Sequence, residues 1–120
     1  METNEITYAV IGCAMRVHNE LGPGLREKPY ENALTFDLEE QGLSFVQQPG
    51  CPILYHGWVA GECIPDLVVG GEVVVEAKAI DKLGDGEIAQ MLNYLRISKS
   101  RIGLVVYSGS SKLEWKRVII

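Results

Sequence analysis

The stretch Glu72-Val73-Val74-Val75-Glu76-Ala77-Lys78-Ala79 decides the fold of this chain. In a strand, alternation places Val74, Glu76 and Lys78 on one face and Val73, Val75 and Ala77 on the other. The second face is wholly apolar and must be buried, so the two charges lie on a face that is either solvent or a site. Solvent would make Glu76 and Lys78 an exposed ion pair of small energetic value. The alternative rests on Pro65-Asp66, upstream on the strand that precedes Gly70-Gly71. A plain two-residue turn at the glycines would set Asp66 opposite Val75 and point it at the wrong face. A three-residue connection with a left-handed glycine, or a bulge, brings Asp66 to the face of Glu76 and Lys78. The sequence predicts that odd-length connection, and with it a site of hard oxygen donors suited to Mg²⁺ or a similar cation.

Outward from this hairpin the period changes. Ile6, Ala9, Val10, Cys13, Val17 and Leu21 recur by threes and fours, as one face of an amphipathic helix requires, and Gly22-Pro23-Gly24 stops it. Tyr30, Ala33, Leu34 and Leu38 form the stripe of a second helix, with Pro29 in its first turn and Gly42 at its end. Phe45-Val46, Ile53 to Tyr55 and Trp58-Val59 read as short strands, followed by Ile64 to Val69 and Val73 to Ala79. Helical spacing returns at Ile88, Met91, Leu92 and Leu95. Ile102 to Tyr107 and Leu113 to Ile119 close the chain as strands. The expected architecture is α/β, a mixed central sheet flanked by helices in the order α-α-β-β-β-α-β-β. Trp58 and Trp115 read as core or sheet-face residues.

With 120 residues, 47% of them apolar, the chain suits one domain, residues 1–120. Its length also suits a homodimer. No run reaches the roughly 20 apolar residues of a membrane span. The acidic start Met1-Glu2-Thr3-Asn4-Glu5 is unlike a basic signal segment, so a cytoplasmic protein is expected. Three cysteines, Cys13, Cys51 and Cys63, include no Cys-x-x-Cys pair, which argues for reduced thiols. The net charge of −5 is uneven: residues 1–95 hold 15 acidic against 5 basic side chains, residues 96–120 one against 6. Such an acidic chain captures nucleic acid poorly by bulk electrostatics, although carboxylates gathered for a metal produce the same excess.

Two further groups carry chemistry. Gln90 and Tyr94 are four apart and share a helix face. Glu27 lies at the mouth of the second helix, where the dipole favours a carboxylate whatever its function.

His18-Asn19-Glu20-Leu21-Gly22-Pro23-Gly24, continuing as Gly24-x-x-Glu27-x-x-Tyr30, resembles the signature of the GxxExxY proteins, within the PD-(D/E)XK nuclease-like superfamily. Pro65-Asp66 with Glu76-Ala77-Lys78 is similar to that superfamily's core motif, and Gln90-x-x-x-Tyr94 resembles the motif of its exonuclease-related branch. The resemblance runs from about Ile6 to Val118. It implies a restriction-endonuclease-like fold and a metal-dependent nuclease. Glu27, Asp66 and Glu76 would hold Mg²⁺ or Mn²⁺. Lys78 would position or activate the attacking water, and Gln90 would complete the catalytic set. Tyr94 and Tyr30 would contact the nucleic acid, with DNA favoured over RNA. Basic residues between 96 and 117 would meet backbone phosphates. Two alternatives remain open at this point: a binding module without catalysis on the same fold, and charges that only stabilise the fold.

Overall fold

The apolar stripe at the start of the chain forms α1 (Thr3–Leu21), and the second stripe forms α2 (Glu27–Glu40) in this computed structural model, which describes residues 1–120. Pro29 is the third residue of α2, within the first turn, where its missing N–H has no intrahelical acceptor to lose. There follow β1 (Phe45–Gln47), β2 (Cys51–Tyr55), β3 (Trp58–Cys63), β4 (Leu67–Val69), β5 (Val73–Lys78), α3 (Asp85–Ser98), β6 (Ile102–Tyr107) and β7 (Glu114–Ile119). No helix is long and apolar enough to cross a membrane.

Five strands form one mixed sheet in the order β1-β4-β5-β6-β7. Neighbours run antiparallel except β5 and β6, which are parallel and joined through α3. Five strands precede α3, not three: β2 and β3 leave the sheet as a separate antiparallel hairpin. The order α-α-β-β-β-α-β-β therefore describes the main sheet alone. Trp58 and Trp115 are exposed strand-face residues rather than core.

Ile6, Val10, Cys13 and Ala14 of α1 and Leu34 and Leu38 of α2 pack on Leu67, Val69, Val73, Val75 and Ala77, on one face of the sheet. On the other face, Met91 and Leu95 of α3 close over Val74, Val105 and Val118. The strand β5 is thus covered on both sides, and the solvent option for Glu76 disappears.

The turn between β4 and β5 has the predicted odd length. Val69 pairs with Val73, which leaves Gly70, Gly71 and Glu72 as a three-residue connection. Gly70 has φ +62°, and a methyl group there would also press on the Ile6 side chain.

Candidate active site

The β4–β5 ladder ends at Leu67 opposite Val75, and the next pair outward is Asp66 and Glu76. There the side chains take over from the backbone. Glu76 Oε1 accepts the Asp66 N–H at 2.7 Å, and Asp66 Oδ2 accepts the Ala77 N–H at 2.9 Å. The Asp66 carbonyl accepts the Gln48 N–H at 2.7 Å, so Asp66 is tied to strands on both sides of it. Lys78, two residues beyond Glu76 on the same face, has its Nζ 3.5 Å from Glu76 Oε2. The same ammonium donates to Gln90 Oε1 of α3 at 2.7 Å. The structure thus brings Asp66, Glu76, Lys78 and Gln90 together at the end of β5.

Burial sets the electrostatics. Glu76 is only 4% exposed. Burial and the nearby Asp66 charge push its carboxyl up to about 7, against the pull of the Asp66 N–H and of Lys78. Burial likewise raises Asp66; the Ala77 N–H opposes it, and the charge of Glu31 adds to it. Tyr94 is pushed up to about 12 by burial, then by Glu76 and Asp66, so its phenol stays protonated and can donate a hydrogen bond. Two carboxyls share too little positive charge here. That is the condition a bound cation relieves.

The acidic triplet of Glu27, Asp66 and Glu76 is not assembled: no three His, Cys, Asp or Glu side chains converge closely enough to hold a metal. Glu27, at the start of α2, accepts the Ala79 N–H at 3.0 Å, and that bond holds its carboxyl below the ordinary range. It anchors the chain where β5 ends. The acid that reaches Asp66 electrostatically is Glu31, one helical turn further along α2 and 2% exposed. Glu31 accepts from the Gln47 side chain at 2.6 Å and pairs with Lys28 at 3.4 Å. Sequence reading overlooks it, although its signal is present: Glu31, Leu34 and Leu38 stand at i, i+3 and i+7, which puts an acid on a buried stripe.

Tyr30 is not with these groups. It is 5% exposed, its hydroxyl donates to the Gly22 carbonyl and accepts the Leu25 N–H, and its ring lines a small cavity with His18 and Ser108 on the α1 side of the sheet. Its role is to fasten the Gly22-Pro23-Gly24 turn to α2. The basic segment is divided as well. Arg101 directly precedes Ile102, the partner of Val73, so it and Lys99 lie at the opposite end of β5 from Lys78.

The sequence matches the PD-(D/E)XK nuclease superfamily over residues 4–118. The chain belongs to that superfamily. Its fold is similar to the crystal structure of an alkaline exonuclease from Laribacter hongkongensis, with a TM-score of 0.56, 15% identity, and coverage of 98% of this chain and 70% of that one. No curated protein matches the chain.

Proposed function

We propose that this member of the PD-(D/E)XK nuclease superfamily hydrolyses phosphodiester bonds of nucleic acid with Mg²⁺ or Mn²⁺, held by Asp66 and Glu76. One observation carries the reading: a buried carboxyl, Glu76, and a half-buried one, Asp66, repel each other beside a single lysine, with hydrogen bonds fixing both in place. Mg²⁺ fits this donor set without a third acid, because it is commonly held by one or two carboxylates with water and substrate phosphate completing the shell. When bound, such a cation neutralises charge on the scissile phosphate and makes a water easier to deprotonate.

The chain's own residues supply positioning. Gln90 holds the Lys78 ammonium at the edge of the carboxyl pair, where its positive charge lowers the cost of forming hydroxide nearby. Tyr94, protonated, donates to a phosphate oxygen. Glu31 fixes Gln47 at the end of β1 and adds negative charge behind Asp66, favouring cation capture. Glu27 keeps Ala79, and so the end of β5, in register with α2. Glu76 must lose its proton to serve as a ligand, so in the metal-free protein the affinity for the cation rises with pH through about 7.

The test is metal-dependent cleavage of single- and double-stranded DNA and RNA, with calorimetric titration of Mg²⁺ and Mn²⁺ alongside. Wild type is expected to bind metal and cleave. Asp66→Asn is expected to lose both, and Lys78→Ala to lose cleavage while keeping the metal. Cleavage that survives both substitutions, or no heat from either cation, overturns the proposal. Metal and nucleic-acid binding without cleavage assigns the chain to the non-catalytic alternative.

A further inference from the structure

The three cysteines, scattered in sequence, differ sharply in space. Cys13 is fully buried between α1 and the sheet and accepts a hydrogen bond from Arg16. Cys51 and Cys63 are direct cross-strand partners at the base of the β2–β3 hairpin, and both are partly exposed. Burial and the nearness of Cys51 push the Cys63 thiol up. Next along the ladder, Pro52 faces Glu62. Proline has no N–H to give, so that pair takes the non-hydrogen-bonded position, and alternation gives Cys51 and Cys63 the other one. The α-carbons of such a pair stand about 5.5 Å apart, inside the range that a disulfide spans. Its β-carbons stand about 1 Å beyond the disulfide range, so closure draws the strands together and forms a readily reduced bond.

We propose that Cys51 and Cys63 are a redox-active dithiol that closes to an intramolecular disulfide when it meets a small-molecule disulfide such as oxidised glutathione. The thiolate of one cysteine attacks the reagent's S–S bond, forms a mixed disulfide and releases one glutathione thiolate. The second cysteine then attacks the protein sulfur of that mixed disulfide and releases the other. Two protons leave the protein thiols and end on two reduced glutathiones, so the protein is oxidised by two electrons and the reagent reduced by two. The bond clips the hairpin where β3 passes through Ile64 and Pro65 to Asp66, beside Tyr94. Because the thiolate is the attacking species, closure is faster at alkaline pH.

The experiment treats the reduced full chain with oxidised glutathione, counts free thiols after denaturation and maps peptides without reduction. Wild type and Cys13→Ser are each expected to lose two thiols, to carry no glutathione and to yield a Cys51–Cys63 linked peptide. Cys51→Ser and Cys63→Ser are each expected to stop at one glutathione adduct on the remaining hairpin cysteine. A wild type that keeps stable glutathione adducts, links two chains, consumes Cys13 or keeps all three thiols overturns the proposal. None of these readouts requires cleavage of nucleic acid, so the result is independent of the catalytic proposal.

Discussion

Two hairpins follow one another in this chain and share a local grammar: antiparallel strands, a glycine-bearing turn and β-branched side chains. In β2–β3 the turn is the two residues His56-Gly57, and the pair makes a sheet of its own. Leu54, Tyr55, Trp58 and Val59 face solvent. In β4–β5 the turn is three residues long, the strands sit inside the main sheet, and helices cover both faces. Only the second hairpin carries charge indoors. Glu76 acquires a proton affinity near neutrality, and Asp66 is raised beside it, because the sheet around them is closed, not because the hairpin itself is unusual.

The largest effect that sharpens this comparison is catalytic. Glu76→Gln keeps the shape and the acceptor for the Asp66 N–H but removes the charge that a cation needs. Metal-dependent cleavage should fall by roughly 100- to 1000-fold or more, as removal of one preorganised electrostatic group commonly does. Tyr55→Ser on the other hairpin should leave metal titration unchanged. Equal losses of metal binding from the two variants would mean that the closed sheet is not what makes the site.

The second effect runs the opposite way, on stability. Burial raises Glu76 from 4.5 to about 7, so the folded state holds that proton more tightly than the unfolded one. The resulting stabilisation is complete below about pH 4.5 and is lost as pH rises through about 7. Glu76→Gln does not titrate and escapes the loss. Relative to wild type it should gain stability between pH 5 and pH 8 without metal, by up to about 3 kcal/mol. Denaturant titrations of both proteins at the two pH values measure the gain. A wild-type-to-variant difference that does not move with pH would break the claim that Glu76 is held in a desolvated place.

The turns give a smaller contrast. Gly70 and Gly57 both have left-handed φ, +62° and +77°. A Cβ at Gly70 would lie 2.7 Å from Ile6 Cδ1, whereas at Gly57 it would meet nothing. Gly57→Ala should cost only the backbone term, about 1 kcal/mol. Gly70→Ala should cost about 2 kcal/mol, because Ile6 must also move within the core. Equal costs would mean that the β4–β5 turn is no more tightly enclosed than the free one.

What the sequence discloses divides along the same line. Strand alternation and turn length are local rules, so the common face of Asp66, Glu76 and Lys78 is legible from a dozen residues. The helical stripe through Tyr30, Leu34 and Leu38 is equally local and gives the correct burial of Tyr30, against the substrate contact implied by family resemblance. Glu31 is legible by the same periodicity once an acid on a buried stripe is taken seriously. The departure of β2–β3 from the sheet is not. It follows from Phe45 pairing with Val69 across the whole hairpin, a contact that no local pattern encodes. The bond from Ala79 to Glu27 is hidden for the same reason, since it joins residues far apart in the chain.

The smallest predicted effect is the most exacting test of the free hairpin. Trp58 is 69% exposed, and its cross-strand partner Tyr55 is exposed as well. A cross-strand pair contributes a few tenths of a kcal/mol up to about 1, and here the Tyr55 ring packs edge-on against His56 rather than on Trp58. The hairpin meets the rest of the molecule chiefly through α3 and shares no ladder with the main sheet, so what Trp58 contributes stays local. Trp58→Ser should therefore shift global stability by no more than about 0.5 kcal/mol, as expected of a surface change. The loss should instead appear locally, as faster amide exchange in β2 and β3 with β4 and β5 unaffected. Faster exchange spreading into β4, or a fall in stability well beyond that size, would show the two hairpins to be one cooperative unit, and their difference in burial would then not be a difference in folding.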